Sequence, residues 1–201
     1  MKHLTDQELM KIVQAGDYSP ASELYDRHSK WIYNFASRIL RNPELAEDAT
    51  QEVFLRMIRH AHTFKDNASL RTWLYAITSN WCRDYFRRAD NQAVKEGDEV
   101  LATLQAPFAE RPDQRIEQSS TARMVKAALD KLTHDQREAI VLARYHEMSH
   151  DEIAKVVGCS VGAVKTRIFR AMESLRNILN PVAPQSVATP VEESPVEETN
   201  V

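Results

Sequence analysis

Helix-start signals recur along the whole chain and constrain its fold more than any other feature. Thr5 with Glu8, Thr133 with Gln136 and Ser149 with Glu152 share one spacing. In it, a hydroxyl and a carboxylate or amide satisfy the free N–H groups of a first helical turn. Ser19-Pro20 and Asn42-Pro43 put a capping side chain ahead of a proline at the first helical position. The 201 residues include only four glycines, and no segment sustains the period-2 alternation of a strand. The pattern predicts helices near 5–15, 20–41, 43–60, 69–88, 113–131, 134–146, 149–156 and 160–178. An all-α fold is expected.

The periodicity breaks in "DNQAVKEGDEVLATLQAPFAERP", which is acidic and carries one glycine and two prolines. This reads as a flexible linker over 90–112, joining two small helical domains at 1–89 and 113–180. "PVAPQSVATPVEESPVEETNV" has four glutamates, no base and no aromatic ring, and is expected to be a disordered acidic tail over 181–201. The net charge of -3 hides this division. The bases gather instead in Lys65 to Arg88 and Lys165 to Arg176.

Several classes are set aside. No apolar run approaches the roughly 20 residues that span a bilayer, and the first residues lack a signal-peptide layout, so no membrane insertion is expected. Cys82 and Cys159 lie far apart without a CxxC, which suits a reducing cytoplasm. No nucleophile elbow or phosphate-binding loop occurs, so neither catalytic residues nor a cofactor are expected. His146 and His150 are four apart near Glu147 and Asp151, but a cap at Ser149 should break the helix between them. No metal site is expected there.

"SHDEIAKVVGCSVGAVKTRIFRAMESLR" reads as a helix-turn-helix. Ile153, Val156 and Val157 give the first helix an apolar side, Gly158 suits the turn, and Ser160 can cap the second helix. Val164 and Ile168 mark the second helix's buried face; Lys165, Thr166, Arg167, Phe169 and Arg170 occupy the others. Long bases and a hydroxyl near the start of such a helix suit the DNA major groove. A helical hairpin with a solvated basic face fits the same spacing.

From "LDKLTHDQREAIVLARYHEMS" through that motif, the chain resembles region 4 of bacterial RNA polymerase sigma factors of the small extracytoplasmic-function type. "LYDRHSKWIYNFASRIL", "AEDATQEVFLRMI" and "FKDNASLRTWLYAITSNWCRDYFRR" resemble regions 2.1, 2.2 and 2.3–2.4, in the right order. The resemblance implies a factor that binds core RNA polymerase, directs it to promoters and promotes strand opening. The second domain would then read the minus-35 element through Lys165, Thr166, Arg167, Phe169 and Arg170.

"SLRTWLYAITSNWCRDYFRR" combines rings and arginines in one helix. Trp73, Leu74, Ile77, Trp81 and Tyr85 fall on a core-facing stripe, and Tyr75, Ser79, Asn80, Arg83, Phe86 and Arg87 lie opposite. Exposed rings among arginines suit single-stranded DNA, with cations on phosphates and rings on unpaired bases. The resemblance assigns this helix, with the loop Lys65, Asp66, Asn67, Ala68, Ser69, Leu70 and Arg71, to the minus-10 non-template strand and a flipped base. The commoner family loop has a glycine that is missing here.

Glu44, Glu47, Asp48, Gln51, Glu52, Arg56 and Arg59 form a polar strip on a helix whose Leu45, Ala49, Val53 and Met57 can face a core. Alone, such a strip is more often a solvated face. The resemblance makes Asp48, Gln51, Glu52 and Leu55 a contact for the clamp helices of the polymerase's largest subunit. It also implies the flap of the second-largest subunit, promoter DNA and an anti-sigma factor as partners. Two rival readings fit the residues: a conventional helix-turn-helix regulator, and a helical adapter that binds only proteins.

Overall fold

The computed structural model describes residues 4–65, 68–96 and 120–180, with only the backbone at 92–96 and 120–123. The first half holds α1 (Asp6–Gln14), α2 (Ala21–Leu40), α3 (Pro43–Arg59), a 3-10 turn (Ala61–Thr63) and α4 (Leu70–Glu96). The second holds α5 (Ser120–Asp130), α6 (His134–Arg144), α7 (His150–Val157) and α8 (Val161–Leu179). No strand occurs among the described residues.

Local chemistry sets most boundaries. All three expected capping boxes form, at Thr5, Thr133 and Ser149. Asn42 Oδ1 accepts from the Glu44 and Leu45 amides at 2.9 and 3.1 Å, ahead of Pro43. The Ser19-Pro20 reading is corrected: Pro20 itself is the cap residue of α2 and supplies no side-chain bond. The Ser19 amide instead donates to Asp17 Oδ1 at 2.9 Å. A hydroxyl cannot cap from one residue outside the cap position. Gly158 closes α7 at φ 73°, where a Cβ would be strained.

One boundary differs from expectation. Helix α4 runs on to Glu96, into the stretch read as linker. Its residues 89–96 include Ala, Gln, Lys and Glu, good helix formers. The start expected for α5 near 113, the tail over 181–201, Asp66 and Asn67 lie outside the described residues.

Helix α4 packs against α2 and α3 and also against α7, while α2 meets α6. Phe35, Ile39, Val53, Met57 and Leu74 of the first half and Leu142, Ile153 and Val156 of the second therefore join one buried cluster. In α6, Arg137 to Leu142 are buried without interruption, the pattern of a helix covered on every side. Arg137 bridges the halves, donating to the carbonyls of Leu129, Asp130 and Leu132 and to that of Ile39. Arg41, which ends α2 at φ 61°, pairs with Asp130 at 2.9 Å.

Candidate nucleic-acid interface

The helix-turn-helix forms as its sequence suggests. Ser160 Oγ accepts from the Ala163 amide at 3.2 Å and starts α8. Val164 and Ala171 are buried beneath it. Lys165, Thr166, Phe169 and Arg170 are exposed, Phe169 at 69%. The Phe169 ring stands in solvent beside Lys165, Thr166 and Arg170. Thr166 Oγ1 is turned inward, donating to the Gly162 carbonyl at 3.0 Å. Arg167 is half-buried and held by Asp135 at 2.7 Å, so it is less available than its neighbours.

The strip on α3 is also laid out as expected. Asp48, Gln51 and Leu55 are exposed, while Ala49, Val53 and Met57 are buried on the other side. Glu52 is half-buried and paired with Arg56 at 3.0 Å and Arg59 at 3.7 Å.

Helix α4 departs from the reading of one core stripe and one solvent face. Trp81 is buried, but Trp73 is half-buried, tilted on Phe64 at 5.3 Å. Tyr75, expected to be an exposed ring, is fully buried. Its neighbours are the edge of Phe35 at 5.3 Å and the His146 ring at 4.9 Å. Arg71 is half-buried, stacks over Trp31 at 4.5 Å and donates to the His146 carbonyl. Phe86 is half-buried, edge-on to His134 at 4.7 Å. The reason is the second half, whose α6 and α7 cover this side of α4. Asn80 and Arg87 remain exposed. With Arg56, Arg83, Phe86 and His134 they line an open groove of about 810 Å³. Lys65 and Ser69 are exposed, and Ser69 Oγ accepts from the Thr72 amide at 3.3 Å, capping α4.

The contact between the halves centres on two residues that sequence reasoning missed. Glu138 is fully buried. One oxygen accepts from Ser79 Oγ, whose oxygen in turn accepts from Arg83 Nη2 at 2.6 Å. The other oxygen lies 4.0 Å from Arg83 Nε. Burial pushes this carboxyl above the usual carboxylate range. His146 Nδ1 lies 2.7 Å from the Tyr75 hydroxyl. Burial lowers the imidazole to about 4 and raises the phenol to about 12. Both are therefore neutral near pH 7. The available signal was Arg137-Glu138 set directly against "AIVLA": charges beside a continuous apolar run need buried partners.

His134, Asp135 and Glu138 could offer three ligand atoms within 4.8 Å of one another. Arg167 already takes Asp135 and Arg83 faces Glu138. A cation there would meet two guanidinium groups and the positive end of α6, so the cluster is ill suited to a metal. His146 is turned to Tyr75, away from the pairing with His150 considered above.

A helix-turn-helix with an exposed basic and aromatic outer face, joined to a second helical unit rich in arginine and rings, defines a nucleic-acid-binding protein. Comparison with known proteins is specific. The sigma-70 region 2 family matches residues 24–92, and sigma-70 region 4 matches residues 122–175. The RNA polymerase sigma-H factor of Pseudomonas aeruginosa is 31% identical over 188 residues, covering 88% of this chain and 95% of that protein. The ECF RNA polymerase sigma-E factor of Haemophilus influenzae is 28% identical over 187 residues, covering 90% and 98%. Among solved structures, the sigma factor RpoE in complex with the anti-sigma factor NepR, from Bartonella quintana, is 27% identical with a TM-score of 0.60. That match covers 79% of this chain and 95% of RpoE. CnrH in complex with the cytosolic domain of CnrY is 27% identical with a TM-score of 0.63, covering 89% and 99%. The chain belongs to the sigma-70 family, as an extracytoplasmic-function sigma factor. No helix among the described residues is long and apolar enough to cross a membrane.

Proposed function

We propose that this sigma factor reads a bipartite promoter with two surfaces and docks on core polymerase with a third. The observation that carries the reading is the outer face of α8, where Lys165, Phe169 and Arg170 stand exposed on the second helix of a helix-turn-helix. That face enters the major groove at the minus-35 element. Helix α4 and the loop from Lys65 to Arg71 take the minus-10 non-template strand. Separating a base step costs about 1.4 kcal/mol, and each base stacked on protein returns roughly 1–3 kcal/mol. A few capture points on Asn80, Arg83, Phe86 and Arg87 therefore hold a short bubble without ATP.

The strip of Asp48, Gln51, Glu52 and Leu55 docks on the clamp helices of the largest polymerase subunit, and region 4 docks on the flap of the second-largest. Two structural neighbours were solved with anti-sigma partners, which supports an anti-sigma factor as the regulator here. The domain assignments follow: core binding and minus-10 melting in the first half through α4, which reaches Glu96, and minus-35 recognition in the second half.

Transcription with purified core polymerase tests the reading. The protein should confer promoter-specific initiation, and the free protein should bind duplex DNA poorly, because each DNA-reading surface is small. Tight sequence-specific duplex binding by the free protein, with no transcript when core enzyme is added, overturns it.

A further inference from the structure

The outer face of α8 carries more than the DNA-reading set. Lys165, Phe169, Met172 and Arg176 recur at spacings of four, three and four residues, which puts them on one stripe of the helix. All four are exposed, Met172 at 40% beside the more open Phe169. Two neighbouring apolar side chains therefore stand in solvent with a base at each end. Among the described residues neither base meets a carboxylate. Met172 and Arg176 lie beyond the residues assigned to the minus-35 element, so promoter reading does not account for the whole stripe.

The sequence beyond α8 has the complementary pattern. Residues 189–198 read "TPVEESPVEE", a unit of hydroxyl, proline, valine and two glutamates given twice. Residues 181–201 hold no other charged side chain. We propose that this repeat lies antiparallel along the α8 stripe as an intramolecular cover that DNA must displace. Glu192 and Glu193 meet Arg176, Glu197 and Glu198 meet Lys165, and Pro195 and Val196 rest on Met172 and Phe169. The inference rests on the DNA-reading role proposed above for α8.

The spacings agree. Along the helix, Lys165 stands about 16 Å from Arg176, with Met172 and Phe169 about 6 and 10 Å along the way. Prolines favour a polyproline path, which advances about 3.1 Å per residue. On that path the two glutamate pairs are about 15 Å apart, and Pro195 and Val196 fall about 8 and 11 Å along. Reach is no obstacle. Helix α8 ends at Leu179, and the stretch from there to Glu192 can span up to about 40 Å. Each exposed ion pair is weak, worth about 1 kcal/mol or less. A tethered segment is nevertheless present at millimolar effective concentration, so a few weak contacts suffice in cis. Such a cover turns away loose, non-specific duplex and yields to a promoter held by the polymerase.

The test is carbodiimide cross-linking of the full chain at low salt, with the products mapped by peptide mass spectrometry. This reagent joins a lysine amine to a carboxylate in contact with it. In monomeric protein Lys165 should couple to Glu197 or Glu198 in preference to Glu192 or Glu193, and molar salt should remove the product. The second readout is fluorescence anisotropy of the full chain with a short labelled DNA duplex of mixed sequence. The variant E192Q/E193Q/E197Q/E198Q should bind several-fold tighter at low salt. Its salt slope should steepen by about one, because Lys165 then sheds counterions instead of a glutamate when it meets a phosphate. P195S/V196S keeps every charge and should also bind tighter. Absence of the Lys165 cross-link overturns the proposal and leaves the stripe to another protein. Cross-links confined to a dimer band overturn the intramolecular cover. A gain in the glutamine variant alone is an effect of net charge and overturns docking. Cross-linking with unchanged affinity in both variants overturns the competition with DNA. Arg170→Ala on the same duplex judges the DNA role of α8 separately, since its charge lies off the stripe.

Discussion

The hydroxyl of Tyr75 lies 2.7 Å from Nδ1 of His146, across a sequence separation of 71 residues. Burial keeps that ring neutral near pH 7. Arg71 of α4 and Arg38 of α2 add to the cost of charging that ring.

This pairing predicts a pH dependence. The imidazole is lowered from 6.5 to about 4 in the folded protein. Below pH 6.5 the unfolded chain takes up a proton that the folded chain refuses, so stability is full above 6.5 and falls as pH drops toward 4. Glu138, raised by burial, acts in the opposite direction, because the folded state binds its proton first. Comparing the parent with His146→Gln cancels Glu138. Urea unfolding should show the parent losing about 2–3 kcal/mol more than the variant between pH 7 and pH 4.5. Equal losses would mean that His146 is not held neutral.

Arg137 holds four carbonyls from both halves. Arg137→Met keeps most of the apolar stem but removes the guanidinium donors from those oxygens. Its cost should be roughly 3–5 kcal/mol in denaturant unfolding, that of breaking a buried polar network. Arg137→Lys should recover little, since one ammonium cannot span the fork.

The two tryptophans of α4 should separate. Trp81→Ala empties a buried site and should cost roughly 3–5 kcal/mol. Trp73, only half-buried against Phe64, should cost about 1.5–3 kcal/mol when truncated. Equal destabilisation in chemical unfolding would contradict the difference in burial.

The limits of sequence reading are visible in the same helix. Capping chemistry is local, so Thr5, Asn42, Thr133, Ser149 and Ser160 announce their helices and the order of elements is legible. The turn at Gly158 and the outward face of α8 also follow from spacing alone. Burial of Tyr75 and Ser79 is not legible in this way. A helical wheel assigns one buried face, and α4 has two because α7 arrives from far along the chain. Pro20 shows a smaller limit, since the reading placed the cap one residue early. Why Glu138 is acidic emerges only once Ser79 and Arg83 stand beside it.

On α8, the basic side chains should divide by availability. Arg170 is exposed, and Arg167 is tied to Asp135 at 2.7 Å. Arg170→Ala should cost about 1–3 kcal/mol of promoter affinity if it reads a base. If it touches phosphate, the loss should be uniform and the salt slope should fall by about one. Asp135→Ala releases Arg167 and should strengthen the salt dependence of DNA binding by the holoenzyme. Unchanged promoter affinity and salt slope in Arg170→Ala would remove Arg170 from the DNA contact, and an unchanged salt slope in Asp135→Ala would remove Arg167.

Every side chain that covers α4 from the second half comes late in the chain: Glu138, His146 and Val156 all follow Arg83 by more than 50 residues. A ribosome adding 5–20 residues per second needs roughly 4–15 s to make the rest of α7 after Arg83 has been joined. For that interval α4 stands without the partners that Glu138 and His146 later bring to Ser79 and Tyr75.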